Sequence, residues 1–227
     1  MMIMEREPMK RDALEKPKAQ QKKAVKQVIL PEVRLFGKWP NVAEVKDIGL
    51  KNYITVKPVV IPKSFGTMSH GRFHKSRMHV VERLANHMLV PGHTGKKHRI
   101  SSGYLGGRSD ANLKKIETAL SLIEKKTNLN PVQVLVTAVE NAAPREEVTS
   151  YQMGSIMARD AVIMSPQRRV DKTLRNIAQG VYKTAFAKKK TVEEALADEL
   201  VAAFNSSNDS HAIREKERLE REAIGAR

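Results

Sequence analysis

Residues 165–183 read Ser-Pro-Gln-Arg-Arg-Val-Asp-Lys-Thr-Leu-Arg-Asn-Ile-Ala-Gln-Gly-Val-Tyr-Lys and predict one long helix with two different faces. Ser165-Pro166 is typical of a helix start, a capping residue followed by a first-turn proline. An apolar stripe at helical spacing follows, formed by Val170, Leu174, Ile177, Val181 and, just beyond this stretch, Ala185. We therefore expect a fold built from amphipathic helices that pack through such stripes.

The opposite face of this predicted helix is basic. Its polar positions i, i+4, i+7, i+11 and i+15 are Arg168, Lys172, Arg175, Gln179 and Lys183. Helices that face only water usually alternate acids with bases, because opposite charges four residues apart stabilise a helix. The like charges here repel one another, a cost that phosphate groups would remove. We interpret the face as a phosphate-binding surface; a basic face exposed only to solvent is the alternative.

The net charge of +16 on this 227-residue chain is concentrated in two blocks. Residues 61–108 hold 9 Lys and Arg, Glu82 as their one acid, and six of the seven His. Residues 165–190 hold 8 Lys and Arg against Asp171 alone. A charge that serves only solubility would be spread along the chain. This distribution favours a polyanionic partner, and nucleic acid is the expected one.

Composition and motifs argue against several other classes of protein. The chain has no Cys, which excludes a disulfide framework, a Cys-based zinc site and a thiol nucleophile. No apolar run approaches the roughly 20 residues of a membrane helix, and we see no secretory signal. Aromatic residues make up 4%, fewer than large β-sandwiches use. His70 and His74 are spaced for a metal site on a helix but lack a nearby carboxylate. We expect an intracellular, mostly helical protein with no catalytic residues, no metal and no cofactor.

Further helices are predicted from residue 76 onward. Their signals are Ser76 as the cap of a helix that ends at Pro91-Gly92, a start at Ser109-Asp110, Asn130-Pro131 before a helix that stops at Pro144, and a capping box at Thr191–Glu194. A last helix over 209–223 is charged almost all round, so we expect it on the surface or against a partner.

Residues 147–163 predict a β-hairpin instead. Val148, Thr149 and Tyr151 favour a strand, and Gly154-Ser155 suits a tight turn. A lone hairpin is only marginally stable, so we expect it to project from the helices and to be steadied by a contact. Residues 32–65 contain short apolar pieces in which no firm element is predicted. Composition and pattern alone thus predict a basic helical nucleic-acid-binding protein, with RNA and DNA both open.

Several segments, in a fixed order over roughly residues 33–227, resemble the universal small-subunit ribosomal protein S-seven family, called S-five in eukaryotes. They are Leu35-Phe36-Gly37-Lys38-Trp39-Pro40, Asn130-Pro131-Val132-Gln133-Val134-Leu135-Val136, Pro144-Arg145-Glu146, Ser165-Pro166-Gln167-Arg168-Arg169-Val170, Leu196-Ala197-Asp198-Glu199-Leu200 and the segment from Ser206-Ser207-Asn208 to Arg227. The first segment and an insertion at 92–108 resemble the archaeal and eukaryotic branch, and the compact length favours an archaeal source.

The resemblance implies a mainly α fold, a bundle of about six helices with a protruding β-hairpin between the third and fourth core helices. Residues 1–30 have no part in the resemblance; they hold few large apolar residues, and from this composition we expect an extended, flexible basic N-terminal tail. The expected organisation is this tail over 1–30, an irregular extension over 31–75 and a helical RNA-binding domain over 76–227. Such proteins bind the 3′ major domain of small-subunit rRNA and nucleate assembly of the head. The implied partners are this rRNA, exit-site tRNA, mRNA and neighbouring head and platform proteins, on cytoplasmic ribosomes and without a membrane.

The resemblance and the basic blocks together supply candidate site residues. Those expected to bind rRNA are Lys38, Arg72, His74, Lys75, Arg77, Lys96, Lys97, His98, Arg99, Arg108, Arg145, Arg168, Arg169, Lys172 and Arg175. Those expected at the hairpin tip, near tRNA and mRNA, are Met153, Gly154, Ser155, Ile156 and Arg159. The alternatives are an architectural DNA-binding protein and a metal-dependent RNA-processing enzyme. The first explains the basic helix but neither the second block nor the hairpin, and the second lacks a ligand cluster.

Overall fold

The computed structural model of the chain describes residues 33–92 and 107–227, and within them six α-helices alternate with two antiparallel strand pairs. In chain order the elements are β1 (Arg34–Leu35), β2 (Trp39–Pro40), α1 (Val80–His87), α2 (Ser109–Thr127), α3 (Pro131–Asn141), β3 (Glu146–Met153), β4 (Ile156–Ile163), α4 (Pro166–Ala185), α5 (Val192–Phe204) and α6 (His211–Ile224). The predicted mainly α bundle, with a hairpin between its third and fourth helices, is confirmed. The tail predicted over 1–30 lies outside the described residues. No helix in the described ranges is long and apolar enough to cross a membrane.

Helix α5 is the centre of the bundle, because α2, α3 and α4 all pack against it. Leu196 and Leu200 of α5 are fully buried, as are Leu120 of α2, Leu135 of α3 and Leu174 of α4. Each such side chain contributes roughly 1.5–3 kcal/mol to folding when it leaves water. The apolar stripe predicted on residues 170–181 is therefore the surface by which α4 joins the core.

Two predicted helix starts are confirmed at the level of single hydrogen bonds. The Val132 N–H donates to Asn130 Oδ1 over 3.1 Å, with Pro131 in the first helical position. Thr191 and Glu194 form the reciprocal capping box, in which each side chain accepts from the other residue's backbone N–H. These local bonds fix where α3 and α5 begin, independently of the packing around them.

The predicted start of the first helix is wrong. Ser76 is the buried residue of a 3₁₀ turn, His74–Arg77, and α1 begins only at Val80. The cap is His79, whose Nδ1 accepts from the Val81 N–H over 3.2 Å. Burial lowers the pKa of His79 to about 4, so its ring is neutral and able to accept this bond at pH 7. Thr55 explains why α1 begins later than predicted. The Thr55 carbonyl accepts from the Val80 N–H, and Thr55 and His79 form a parallel β-bridge. The helix also ends at His87, before the predicted Pro91-Gly92 stop.

The irregular segment 33–65 packs into the same core as the helices. Leu35, Trp39, Leu50 and Ile54 are buried there. The Trp39 indole N–H also donates to the carboxylate of Glu124 on α2 over 2.9 Å. Sequence periodicity could not show this, because the segment has only the two-residue strands β1 and β2 and fills the core through separate side chains.

The predicted hairpin is present as β3 and β4, paired from Glu146 opposite Ile163 to Met153 opposite Ile156. Gly154 has a φ of +62°, a conformation that glycine adopts at no steric cost in a two-residue turn. The base of the hairpin is steadied by α6, which packs against β3 and α4. Helix α6 is therefore not merely a surface helix, because a narrow apolar face that includes Leu219 is buried.

Gly180, near the C-terminal end of α4, lies where α4, α5 and α6 approach closely. A methyl group at this position would come within 2.8 Å of the His211 Cβ and 2.9 Å of the Glu199 carboxyl carbon. The buried Glu199 carboxylate accepts from the Ser210 hydroxyl over 2.8 Å and from the Ala212 N–H over 3.0 Å. Glycine is thus required because the start of α6 and the buried Glu199 of α5 occupy the space that a side chain would need.

We expect Gly180→Ala to lower the free energy of unfolding by up to about 2 kcal/mol. Overpacking costs about 1–3 kcal/mol, and the better helix propensity of alanine returns only about 1 kcal/mol. The matched control is Gly225→Ala at the end of α6, where the added carbon makes ordinary contacts at 3.7 Å. Chemical denaturation at pH 7 measures both variants. A Gly180→Ala protein as stable as the control would show that the close packing is not required.

Candidate nucleic-acid interface

The two basic blocks of the sequence meet at one open depression, which we call the α4 pocket. Arg72 and Lys75, from the first block, line it together with Arg168, Lys172 and Arg175 of α4. Its volume is about 410 Å³. Five cations from two distant parts of the sequence are therefore gathered on one surface, an arrangement suited to a phosphate backbone.

Lys172 is partly buried among other cations of the α4 pocket, and its pKa is lowered as a result. Burial, and then the charges of Arg168 and Arg175, lower the pKa of Lys172, while Glu147 and Glu215 oppose that effect. A phosphate group placed here would relieve this repulsion. The like charges noted in the sequence are thus close neighbours in space as well.

Besides the five cations and Asp171, three uncharged residues line the α4 pocket, namely Phe73, Ser165 and Gln167. The Phe73 ring is 62% exposed, and the Arg72 guanidinium carbon lies 5.5 Å from its centroid. Gln167 is 6% exposed and lies in the first turn of α4. None of the three was among the predicted site residues. The signal that could have revealed Phe73 is its place as the one aromatic residue in the basic run 70–77.

Asp171 holds the two blocks together. Its Oδ1 accepts from the Arg83 guanidinium over 2.8 Å, and its Oδ2 forms an ion pair with Lys75. Burial raises the pKa of Asp171, but the bonds from His87, Lys75 and Arg83 outweigh burial and hold the pKa well below its usual range. Arg83 is almost fully buried and also donates to the Tyr53 carbonyl over 2.6 Å. No role of this arginine is predicted from the sequence.

Neighbouring arginines at the start of α4 point to different surroundings. Arg168 is exposed and makes an ion pair of 2.6 Å with Glu147 at the base of the hairpin, whose hydrogen bond raises the pKa of Arg168. Arg169 is turned inward, donating to the Pro144 carbonyl over 3.1 Å and pairing with Asp47 over 2.9 Å. Burial alone would raise the pKa of Asp47, but its bond with Arg169 lowers it. Arg169 thus ties the irregular segment to α4 and does not line the α4 pocket.

The other candidate rRNA-binding residues that the structure describes do not line the α4 pocket. Within the first block, Arg77 is exposed, whereas His74 is half-buried with its ring against Gly71. Lys38 lies apart, in an ion pair of 2.6 Å with Glu117 of α2. Arg108 precedes α2 and Arg145 precedes β3, and both are exposed. Lys96, Lys97, His98 and Arg99 lie outside the described residues.

The hairpin tip has a different chemistry from the α4 pocket. Met153, Ile156 and Met157 are 62–70% exposed, next to Gly154 and Ser155 at the turn. Arg159 lies further down β4 and borders a groove with the C-terminal Arg227. The tip therefore offers apolar contact and shape more than charge. No group of three or more potential metal ligands occurs in the described part of the chain.

Comparison with known proteins gives one consistent result. The family described as "Ribosomal protein S7p/S5e" matches residues 50–227 of this chain. The small ribosomal subunit protein uS7 of Nanoarchaeum equitans is 41% identical over 197 residues, which are 86% of this chain and 100% of the relative. The same-named proteins of two Methanococcus maripaludis strains, C6 and S2, are 44% and 45% identical over 199 residues, with the same coverage.

A test of the α4 pocket as a phosphate site is the salt dependence of RNA affinity. We expect Arg168→Gln, Lys172→Gln and Arg175→Gln, combined, to flatten the slope of log K against log[salt] by about 0.7–0.9 for each phosphate that the variant no longer neutralises. Filter binding to rRNA over a range of KCl concentrations measures the slope.

The control for this test is the double variant Lys114→Gln/Lys125→Gln, which removes two exposed charges from α2. Its slope should stay close to that of the unchanged protein. A triple variant with the original slope would mean that the basic face of α4 contacts only solvent.

Proposed function

Because this chain belongs to the ribosomal protein S7p/S5e family, as an archaeal-type member, we propose that it is a structural constituent of the small ribosomal subunit that acts by binding rRNA. Members of this family are structural components rather than enzymes, and this chain is not an enzyme. The observation that carries the proposal is the α4 pocket, where Arg72 and Lys75 join the basic face of α4. The pocket supplies the multiple phosphate contacts on which RNA affinity chiefly depends.

The 3′ major domain of small-subunit rRNA is the proposed target, and binding there nucleates assembly of the head. Both basic blocks contribute to the same surface, so one protein can hold two RNA segments that are distant in sequence. The ion pairs made by Asp171 and Arg169 favour this role, because they fix the cations before RNA arrives. A site that is already ordered loses less entropy on binding than one that must first fold.

The hairpin is proposed to lie near exit-site tRNA and the path of mRNA. Its strands are eight residues long each, so the tip stands clear of the bundle. Met153, Ile156 and Met157 are exposed there, and Arg159 is the one cation of β4. This composition suits contact by shape and apolar surface with a ligand that must be released, rather than permanent attachment. The remaining proposed partners are neighbouring head and platform proteins of cytoplasmic ribosomes.

Binding selectivity tests the central proposal. We expect the full chain to bind small-subunit rRNA of Methanococcus maripaludis saturably at high salt, with the 3′ major domain fragment retaining this affinity. Large-subunit rRNA and duplex DNA of similar length serve as competitors. Equal competition by duplex DNA would favour an architectural DNA-binding protein, and equal competition by large-subunit rRNA would contradict a specific role in the small subunit.

A shortened hairpin tests the separate role of the tip. Deleting residues 150–153 and 156–159 leaves Gly154-Ser155 between Thr149 and Asp160, which already face each other. Removing four pairs preserves the alternation of hydrogen-bonded and non-bonded pairs, so the shorter hairpin keeps its register. Because the α4 pocket is untouched, rRNA affinity should stay within about twofold, less than 0.5 kcal/mol.

In small subunits reconstituted with this variant, we expect weaker retention of exit-site tRNA or poorer maintenance of the reading frame. Loss of rRNA binding by a variant that still folds, checked by circular dichroism, would place the tip in the primary rRNA site. Unchanged tRNA retention together with an unchanged reading frame would remove the proposed role of the tip.

A further inference from the structure

We propose that the α4 pocket binds one unpaired nucleotide of RNA, with its base stacked on the Phe73 ring and its phosphate at the N-terminus of α4. The inference rests on the proposed function and deepens it. A protein that bound only the backbone of a duplex would need the cations alone. The α4 pocket has three features beyond its cations, and together they suit a nucleotide that has been released from base pairing.

The first feature is the exposed ring of Phe73 at the edge of the pocket. It is 62% exposed, although an apolar side chain of this size normally leaves water. Arg72 lies over the ring, with 5.5 Å between the guanidinium carbon and the centroid. An aromatic ring beside a cationic groove is how proteins stack the bases of single strands. A paired base inside a helix could not offer its face to this ring.

The second feature is the uncapped N-terminus of α4. This helix runs for 20 residues, and Pro166 occupies its first position. The Ser165 side chain accepts no hydrogen bond from the first turn, unlike Asn130 before α3 and Thr191 before α5. Free N–H groups and the helix dipole favour an anion at such an end. Arg168 and Lys172 lie one and two turns along the same wall and would hold the same phosphate.

The third feature is the side-chain amide of Gln167. Both its Nε2 and its Oε1 are buried, and neither has a hydrogen-bond partner within the described residues. Burying an amide without partners is costly, so the group calls for a ligand that brings both a donor and an acceptor. The edge of a nucleobase does this, and a phosphate does not. Gln167 is therefore the group that would make the pocket prefer some bases over others.

The acid in the pocket does not oppose this binding. Asp171 is already neutralised by Arg83 and Lys75, with His87 close by. Lys75 is 45% exposed despite its ion pair, so its ammonium group still contributes to the positive surface. The α4 pocket therefore combines a positively charged surface with the exposed Phe73 ring and the Gln167 amide, which has no hydrogen-bond partner within the described residues.

The experiment uses the full chain, small-subunit rRNA of Methanococcus maripaludis, and the variant Phe73→Leu. We expect about a tenfold loss of affinity, the effect of removing one base–aromatic stack. The slope of log K against log[salt] should not change, because the protein still neutralises the same phosphates. Phe73→Trp should restore the affinity. The matched control is Phe65→Leu, which removes a ring that is 82% exposed, lies under Lys63 and is outside the α4 pocket.

Gln167→Leu supplies a second, independent readout. Single-stranded homopolymers of adenylate, cytidylate and uridylate compete with labelled rRNA for the protein. We expect them to compete with different strengths for the unchanged protein and with equal strength for Gln167→Leu. Unchanged affinity in Phe73→Leu, an equal loss in Phe65→Leu, or a flattened salt slope would overturn the stacking site. An unchanged ranking in Gln167→Leu would overturn its role in base choice.

These experiments distinguish failure of the proposed function from failure of the nucleotide site. If the unchanged chain shows no preference for small-subunit rRNA, the proposed function fails. If it shows that preference and Phe73→Leu shows the same affinity, the nucleotide site alone fails.

Discussion

The interface depends on one carboxylate. Asp171 is the only acid in residues 165–190, and it binds Arg83 and Lys75, which belong to the first basic block, residues 61–108. Arg83 is buried, so this pairing also prevents an uncompensated charge in the interior, which would cost several kcal/mol. The acid that looks like a weak exception in a basic stretch is therefore what brings the two basic blocks to one surface. Asp171 orients the surrounding cations, and the surface remains positively charged.

A buried acid, Glu199, also joins separate elements, at the C-terminal end of α4. Glu199 of α5 binds the start of α6 through the Ser210 hydroxyl and the Ala212 N–H, directly over Gly180. Helix α6 in turn packs against β3, so the position of the hairpin base follows from this contact. The body of the protein thus positions two different surfaces from one helix: cations at the N-terminal end of α4, and the hairpin by way of α6.

Sequence reasoning succeeded where structure is decided locally. The capping box at Thr191, the proline start after Asn130 and the turn at Gly154 each depend on residues only a few positions apart, and each is found where it was predicted. It failed at α1, whose start is set by pairing with Thr55, a residue that no local pattern connects to it. The same limit applies to the interface. The basic residues are visible in the sequence, but the inward turn of Arg169 and the pocket position of Gln167 depend on long-range contacts.

The two-stranded hairpin also bears on the life of the chain before assembly. A sheet of two strands has two edges, and beyond the cover of α6 these edges end at exposed Met153, Ile156 and Met157. Unpaired edges that carry apolar side chains favour edge-to-edge association with other copies. The net charge of +16 keeps free copies apart, and it is this charge that RNA neutralises. Copies made in excess of RNA therefore depend on this charge repulsion to resist edge-to-edge association.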